Sequence, residues 1–440
     1  MSSVMRQSFF GGKTDKRKKN MGCFTPIPSN LLKHFDVDLQ KLYHDVIHKE
    51  LKFQSKKSVQ KIKVALKEVV DAYRMEYGVE HSNSIRFDSP AKRCAYVLKH
   101  SPCFTSAVAK HFFRMIHANQ KILHKCLHSG QLNLCCLGGG PASDAVALSK
   151  IISGIYHSTW NKTHRTLKFH VTIVDINEDW EITAKNVLDI LKTSEEFFEV
   201  EGLEISFQFC RADLTEPMDA KVQEALQNAD IVTMVFFLSA VNRSKAIEKG
   251  FHMVQEIMER MKSGAFIFFL DSAKAINYEQ MSEAANLKNL EQIYGSHLEQ
   301  FHTLSLSSVR TFLDLYKKDL GRLLCMTYCF VSVSVWTKLD PTLRFLLSKE
   351  PNGIVKRQQF VYSELDIQRT TELTNRMFSF RAQVRKLLVT YFTDGESDDI
   401  EEEDDPFDTL LERYLEFVPQ YLFQTKQKKR RIFTGPPLSI

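Results

Sequence analysis

The chain has 440 residues, of which 43% are hydrophobic and 25% are charged, and its formal net charge is +6. This length predicts two or three domains, and the apolar content is sufficient for a large buried core. The longest apolar runs are too short to cross a bilayer, and no charged segment followed by an apolar one opens the sequence. We therefore expect neither a membrane protein nor a secreted precursor.

Cysteine usage indicates the redox compartment. The sequence has nine cysteines, and no two of them form a Cys-x-x-Cys pair. An odd number of cysteines, several of them in predicted strands, indicates reduced thiols and an intracellular protein, nuclear or cytoplasmic. No group of cysteines and histidines has the spacing of zinc ligands, so no metal site is predicted.

The N-terminal part of the chain divides into two segments. Residues 1–30 are predicted to be a disordered basic arm, which is most basic at Lys13–Lys19. Residues 31–130 carry apolar side chains with a period near 3.6 and are predicted to form a helical N-terminal domain, with Ser89 at the start of one helix. Arg93 and Tyr96 lie on that helix, where core or surface roles are favoured over a role in a site.

A glycine turn follows at residues 138–141, Gly-Gly-Gly-Pro. It comes after the short apolar run Leu134–Leu137, which is predicted to be a buried strand, and before a predicted helix, Ala142–Ile155, for which Ser143 and Asp144 are candidate caps. In a strand–turn–helix unit of this kind, backbone N–H groups and a helix N-terminus approach a ligand closely. The stretch therefore predicts a ligand-binding turn.

Four further apolar runs are predicted to be strands, and helical segments separate them. The strands are at 170–175, 205–210, 229–237 and 263–271, and the intervening helices are at 181–192, 219–227 and 246–262. Alternating strands and helices predict a parallel sheet with helices on both faces. The second strand ends in Asp175, where a carboxylate can accept hydrogen bonds from a ribose diol, and Asp213 follows the third strand.

With these strands and acids in place, the stretch Gly138–Ser143 resembles the first motif of class I (Rossmann-like) S-adenosyl-L-methionine (SAM)-dependent methyltransferases. The resemblance extends from Leu132 to Lys338. It implies a doubly wound, mostly parallel seven-stranded sheet, which the segment Arg322–Lys338 would close as an antiparallel strand. It also implies methyl transfer from SAM, and a cofactor site formed by Gly138, Gly139, Gly140, Pro141, Asp175, Ile176, Asp213, Leu214 and Phe236.

The sequence departs from the family pattern at two positions. Cys136 stands where the family has an acid before the turn, and Ala142 stands where it has a third glycine. These departures keep open a catalytically inactive, methyltransferase-like binding module. A nicotinamide dinucleotide site is disfavoured, because its acid is expected about 20 residues beyond the turn, whereas Asp175 lies 35 residues beyond Gly140.

The sequence defines the methyl acceptor less closely than the cofactor. The end of the fourth predicted strand lacks the Asn/Asp-Pro-Pro-aromatic motif of many enzymes that methylate base amino groups. Phe236 and Phe237 could stack on a planar acceptor, although a core role in the strand is favoured. Ser239 and Asn242 could hydrogen-bond a substrate, and no catalytic residue is assigned. RNA is one candidate acceptor because of the basic clusters, and a small molecule or a protein is the alternative.

The C-terminal part is predicted to have three segments. Residues 341–392 form an extension with a helix near 371–391, and residues 393–406 form an acidic linker. Residues 407–440 combine a short amphipathic helix, which could dock on a protein partner, with a basic tail at Lys426–Arg431.

Overall fold

The computed structural model describes residues 30–51, 56–74, 85–119, 127, 129–160, 166–194, 203–244, 247–320, 325–340 and 364–393. The predicted basic arm, acidic linker, amphipathic segment and basic tail lie outside these residues, apart from the last residue of the arm and the first of the linker. None of the helices within the described ranges has both the length and the apolar character needed to cross a bilayer.

The described ranges contain alternating helices and strands. The helices are α1 (Phe35–Leu51), α2 (Lys56–Arg74), α3 (Pro90–Ala118), α4 (Ser143–Trp160), α5 (Trp180–Thr193), α6 (Ala220–Asn228), α7 (Phe237–Ser244), α8 (Ile247–Arg260), α9 (Ala275–Leu287), α10 (Leu306–Leu320) and α11 (Glu364–Thr393). The strands are β1 (Gln131–Leu137), β2 (Leu167–Asp175), β3 (Leu203–Arg211), β4 (Ile231–Val235), β5 (Phe266–Ser272), β6 (Glu291–Thr303) and β7 (Tyr328–Thr337).

These strands form one seven-stranded sheet with the order β3-β2-β1-β4-β5-β7-β6. Strands β1 to β5 pair in parallel, and β7 is antiparallel to both β5 and β6. The predicted seven-stranded, mostly parallel sheet with an antiparallel final strand is confirmed. The chain leaves β1 toward β2 on one side and later returns to β4 on the other, so the carboxyl ends of these strands border a crevice at the switch point.

Two details of the predicted strands are corrected by the structure. Strand β4 ends at Val235, so Phe236 and Phe237 are not strand residues as predicted: Phe236 has a left-handed backbone and Phe237 begins α7. Strand β6 was not recognised in the sequence, because it is a polar edge strand with register irregularities on either side of Gly295. Such an edge strand lacks the apolar run that identifies a buried one.

Helices cover both faces of the sheet. On one face, α1 to α5 and α10 share a continuous apolar core with the strands. On the other face, α6, α8 and α9 pack over a second core. The predicted start of α3 is confirmed: Ser89 is its N-cap, with its hydroxyl accepting a hydrogen bond from the Lys92 backbone N–H at 3.3 Å. Helix α3 extends across the first face, since Tyr96 contacts Trp180, which follows β2, and Phe112 contacts Phe266 of β5.

Candidate functional site

The glycine turn lies directly after β1, at the switch point. Gly138 and Gly140 have φ angles of 64° and 35°, which favour glycine. A Cβ atom on Gly138 would lie 2.2 Å from Cδ2 of Phe237, so that position has no room for a side chain. The Gly138 N–H donates to the carbonyl of Val174 at 2.8 Å and fastens the turn to β2.

Ala142 adopts the left-handed conformation of a glycine without being one. Its φ is 61°, its side chain is fully buried, and its N–H donates to the Gly139 carbonyl at 2.8 Å. A left-handed conformation costs a non-glycine residue about 1–2 kcal/mol. The turn therefore keeps its path where the family's third glycine is missing, at the cost of local strain.

Asp175 joins the end of β2 to the glycine turn. Its Oδ2 accepts a hydrogen bond from the Gly140 N–H at 3.1 Å, and its Oδ1 accepts one from the Asn177 N–H at 3.0 Å. Burial raises the pKa of this carboxyl to about 6. Each carboxylate oxygen has a second lone pair, so the group can accept two ribose hydroxyls while it holds the turn.

The end of β3 lies beside Asp175. The Ala212 N–H donates to the Asp175 carbonyl at 3.0 Å, and Oδ1 of Asp213 accepts hydrogen bonds from the backbone and the hydroxyl of Thr215. Ile176 is 59% exposed, which is unusual for a large apolar side chain next to buried residues. Leu214 instead packs in the core beneath the sheet. The exposed isoleucine thus provides an apolar surface beside the two acids, suited to the face of a purine.

Beneath the turn lies a buried acid that sequence reasoning treated only as a helix cap. Asp144, in the first turn of α4, accepts a hydrogen bond from the Thr233 hydroxyl of β4, and burial raises the pKa of its carboxyl. The buried Cys136 thiol lies close to the same carboxyl. A carboxyl group is therefore present next to Cys136, although it comes from the helix and not from the strand.

Aromatic side chains cover the β2 side of the crevice. The indole of Trp180 is the nearest group to Gly140, about 3.5 Å from where a Cβ atom would lie. Its ring contacts Phe87 at 4.9 Å and Tyr96 at 5.5 Å between centroids. Sequence reasoning missed Trp180, whose only signal was its place a few residues after Asp175.

A second aromatic contact lies at the β4 side. The Phe236 ring stacks on Phe104 of α3, with centroids 3.8 Å apart and an interplanar angle of 20°. Phe236 has a φ of 50°, and its N–H donates to the Leu270 carbonyl at 2.8 Å. The structure thus places Phe236 at the carboxyl end of β4, across the glycine turn from Asp175.

A buried polar network supports the turn after β4. Asp271, at the end of β5, accepts a hydrogen bond from the Ser239 N–H at 3.0 Å and so caps the first turn of α7. The amide of Asn277 donates to the same carboxyl at 3.4 Å and to the Ser272 hydroxyl, and Asn242 donates to Asn277 at 3.0 Å. Asp271 is fully buried, and burial raises the pKa of its carboxyl.

The strand order, the antiparallel β7, the glycine turn and the acid after β2 together define the architecture of a class I SAM-dependent methyltransferase. Comparison with known families agrees. Residues 44–289 match a family model described as "Putative SAM-dependent methyltransferase". The chain belongs to this family of SAM-dependent methyltransferases.

One curated relative is a 25S rRNA (uridine(2843)-N(3))-methyltransferase from Saccharomyces cerevisiae. It is 23% identical over 298 residues, which are 64% of this chain and 72% of the yeast protein. Among solved structures, a magnesium protoporphyrin IX methyltransferase from Synechocystis with bound SAM is 11% identical, with 61% of this chain and 90% of that chain covered and a TM-score of 0.32. A SAM-dependent methyltransferase from Methanosarcina mazei is 12% identical, with 50% and 97% covered and a TM-score of 0.30.

Proposed function

We propose that this chain transfers the methyl group of SAM to a uracil base of RNA, with ribosomal RNA as the first candidate. The observation that supports the acceptor is the sequence similarity to the yeast rRNA uridine methyltransferase, which covers 64% of this chain. The chain's own charge is compatible with RNA. Basic clusters at 13–19 and 426–431 and a net charge of +6 would favour phosphate contacts.

We assign the methionine, ribose and adenine parts of SAM, in that order, to successive residues of the crevice. We assign the methionine end to the turn from Gly138 to Pro141, because it directly follows β1 at the switch point of the sheet. Asp175 would accept the ribose hydroxyls. Ile176 and Asp213 would border the adenine, the first through its exposed apolar side chain. The buried Leu214 would support them from the core.

The acceptor would approach from the β4 side. Phe236 lies there, directly after β4 and before α7, with its ring against Phe104 of α3. Bound SAM supplies an electrophilic methyl group on a sulfonium. The residues around it need to hold the acceptor nitrogen in line with that methyl group and to exclude water, and such positioning can supply most of the acceleration.

The bond changes in this reaction are simple. A bond forms between N3 of the uracil and the methyl carbon, the carbon–sulfur bond breaks with its electron pair passing to sulfur, which becomes a neutral thioether, and the N3 proton passes to solvent water. Since the leaving group is already positively charged before the transfer, the reaction needs no acid to activate it. This agrees with a crevice whose hydrogen bonds serve mainly to fix the turns after β1, β2 and β4.

The experiment is methylation by the full-length chain with SAM that carries a labelled methyl group. Separate reactions would receive ribosomal RNA lacking the modification, transfer RNA, a protein extract and a metabolite extract. We expect the label in ribosomal RNA, recovered as N3-methyluridine by mass spectrometry of the digested nucleosides. Label that enters only protein or small molecules would contradict the proposed acceptor while leaving the methyltransferase assignment intact. The Asp175→Ala variant is the control for cofactor-dependent transfer.

A further inference from the structure

Helix α2 carries a concentration of positive charge on its outer face. From Lys57 to Lys67 the helix contains four lysines, at positions 57, 61, 63 and 67, and no acidic residue. Lys57, Lys61 and Lys67 are exposed, and Lys63 is half-buried. The opposite face of the helix is apolar and packs into the core through Ile62, Ala65, Leu66 and Val69. The four lysines, called the lysine face below, therefore lie on the side of α2 that faces away from the core.

No acid of the described ranges forms an ion pair with any lysine of this face. Other lysines at the surface do have such partners: Lys249 pairs with Glu216 at 3.1 Å. The acids of α2 itself follow the lysines in the sequence, and the first of them, Glu68, lies 3.7 Å from Lys92 of α3. The positive charge of the lysine face is therefore not neutralised within the described part of the chain.

This distribution of charge is unfavourable for the helix that carries it. Lys57 and Lys61, and likewise Lys63 and Lys67, are four residues apart, so the members of each pair are about 6 Å apart along the helix axis and repel each other. Lys57 also lies in the first turn of α2, which contains no acid and where the helix dipole favours negative charge. A polyanion that bound to this face would relieve the repulsion.

Helix α3 connects the lysine face to the crevice. Helix α2 packs along α3, and Glu68 pairs with Lys92 near the start of that helix. In the next turn of α3, Tyr96 contacts Trp180, whose indole lies beside Gly140 of the glycine turn. A polymeric acceptor can therefore contact α2 while one of its units enters the crevice, whereas a small acceptor cannot reach both.

We propose that Lys57, Lys61, Lys63 and Lys67 bind the phosphate backbone of the acceptor RNA. This inference rests on the proposed function, because it takes the acceptor to be RNA. Lysine is a compact charge, and contacts with phosphates position a nucleic acid without reading its sequence. The lysine face would thus hold the RNA on the protein, and recognition of the target base would be left to the crevice. It assigns an RNA-binding role to the helical N-terminal part of the chain.

The test removes these charges with glutamine, whose helix propensity is similar to that of lysine. The α2 variant combines Lys57→Gln, Lys61→Gln, Lys63→Gln and Lys67→Gln. The matched control changes four exposed lysines of β2, α5 and α6 and combines Lys168→Gln, Lys185→Gln, Lys192→Gln and Lys221→Gln. Both variants lower the net charge of +6 by the same amount, so they differ only in where the charge is lost.

For each full-length protein, filter binding measures the affinity for ribosomal RNA that lacks the modification, at a series of KCl concentrations. Binding of polyglutamate, an acidic polypeptide, is measured in the same way. Steady-state kinetics give the KM for RNA and kcat, titration calorimetry gives the affinity for SAM, and thermal unfolding shows whether the fold is kept.

We expect the α2 variant to bind RNA about tenfold more weakly at low salt, with a slope of log affinity against log salt that is less steep by about 3, since each phosphate contact contributes about 0.7–0.9. Its KM for RNA should rise, whereas kcat and the affinity for SAM should not change. Its unfolding temperature should equal or exceed that of wild type, because the like-charge pairs are gone. The control variant should keep the wild-type salt slope and KM.

A wild-type salt slope and KM in the α2 variant, or an equal change in the control variant, would overturn the lysine face as an RNA-binding site. Loss of polyglutamate binding with unchanged RNA binding would overturn it in favour of an acidic protein partner. In both cases methylation of RNA by the wild-type protein would leave the proposed function intact. Absence of that methylation would overturn the proposed acceptor, and the role of the lysine face with it.

Discussion

At the β1–β2 side of the crevice, the connecting contacts come from backbone groups and one carboxylate at the ends of adjacent strands. The N–H groups of Gly138 and Gly140 bond the end of β2, through the Val174 carbonyl and the Asp175 carboxylate. At the β4–β5 side, a backbone hydrogen bond and a carboxylate from β5 hold the turn, and a side chain from an element far away in the chain packs on it. There Phe236 of the turn after β4 meets Phe104 of α3.

This difference separates the effects expected from substitutions on the two sides. A turn that binds through its backbone is suited to the cofactor, which all members of the class share, because its conformation depends on few side chains. Side chains from distant elements can change without disturbing that turn, so they are suited to recognise the acceptor. Substitutions at the first side should therefore alter cofactor binding, and those at the second should alter acceptor use.

The largest effect on stability is expected at the ion pair that anchors α3. This helix contacts both sides of the crevice. Arg93 is 2% exposed and pairs at 2.9 Å with Glu50, which is 3% exposed, and it also donates to the Thr183 hydroxyl of α5. Arg93→Ala leaves the buried Glu50 carboxylate without its positive partner and with only the Thr183 hydroxyl as a donor, so we expect a loss of about 3–5 kcal/mol in the free energy of unfolding. Urea unfolding measures it. Removing both charges, in Arg93→Met/Glu50→Gln, should cost less than Arg93→Ala alone.

An Arg93→Ala variant within 1 kcal/mol of wild type would show that the pair does not anchor α3. The two sides of the crevice would then not depend on this helix for their relative placement. The exposed pair between Arg211 and Glu178 serves as a control, because exposed pairs contribute only about 0–1 kcal/mol.

The next effect is expected at the buried network of the β4–β5 side. Asp271→Ala removes the acceptor of the Ser239 N–H and leaves the Asn277 amide with one partner fewer. We expect a stability loss of about 1–3 kcal/mol, the cost of an unsatisfied buried donor. The KM for RNA should also rise, because the turn that carries Phe236 loses its cap, while SAM affinity should change little. Titration calorimetry and steady-state kinetics separate the two readouts.

Ser239→Ala separates the hydroxyl from the backbone contact, since it removes the hydroxyl that donates to the Phe236 carbonyl at 3.4 Å but keeps the N–H that donates to Asp271. It should lower stability and raise the KM for RNA less than Asp271→Ala does. If Asp271→Ala weakened SAM binding as strongly as RNA use, the proposed separation between the two sides would be wrong.

A pH effect is expected at the cofactor side. The pKa of Asp175 is about 6 because of burial, and only its carboxylate form can accept both ribose hydroxyls. Ribose hydroxyls would stabilise the charged form, so SAM binding should release a proton near this pH. Affinity should be constant above about pH 7 and fall as the pH drops through 6, by at most tenfold per pH unit.

Asp175→Asn has no titrating group at this position, so its residual SAM affinity should show no such fall between pH 7 and 5. The measurement is titration calorimetry in buffers of different ionisation enthalpy. If the SAM affinity of the wild-type protein did not change between pH 7 and 5, the role of the Asp175 carboxylate would be contradicted.

The smallest effect is expected at Ala142. Ala142→Gly relieves the left-handed strain at φ 61° but removes a buried methyl group and adds chain entropy to the unfolded state. Relief of the strain stabilises the protein by about 1–2 kcal/mol, and the other two terms together destabilise it by about 1–2 kcal/mol. We expect unfolding within about 1 kcal/mol of wild type and unchanged SAM affinity. A large loss of affinity would show that the methyl group itself shapes the cofactor side.

The sequence predicted most of the parallel sheet, since β4, β5 and the carboxyl-terminal halves of β1 and β2 are largely apolar and buried. The sequence also predicted that Asp175 ends the second strand, at the position of the acid in the family's motif. It was wrong about where β4 ends, because the apolar run continues through Phe236 while the backbone turns left-handed there. No local pattern signals that turn, which the Leu270 carbonyl and the Asp271 cap hold from β5.

The parts of the site that the sequence did not reveal are contacts between distant elements. Phe104 is one apolar residue among many on α3, and only the packing of that helix across the sheet brings it to Phe236. The contact of Asp144 could not be predicted for a similar reason, since its partner Thr233 lies on β4, far away in the sequence. An acid just inside the helix that follows the turn was its only signal, and such acids also serve as ordinary helix caps.

The most direct test of this account is titration calorimetry of SAM with the wild type, Asp175→Ala and Phe104→Leu. The account predicts binding to the wild type, loss of binding in Asp175→Ala and wild-type affinity in Phe104→Leu. Thermal unfolding should agree, with a stabilisation of about 2.7 kcal/mol when SAM is present at 100 times its dissociation constant, absent only in Asp175→Ala. Wild-type affinity in Asp175→Ala, or loss of affinity in Phe104→Leu, would contradict the division of the crevice into a cofactor side and an acceptor side.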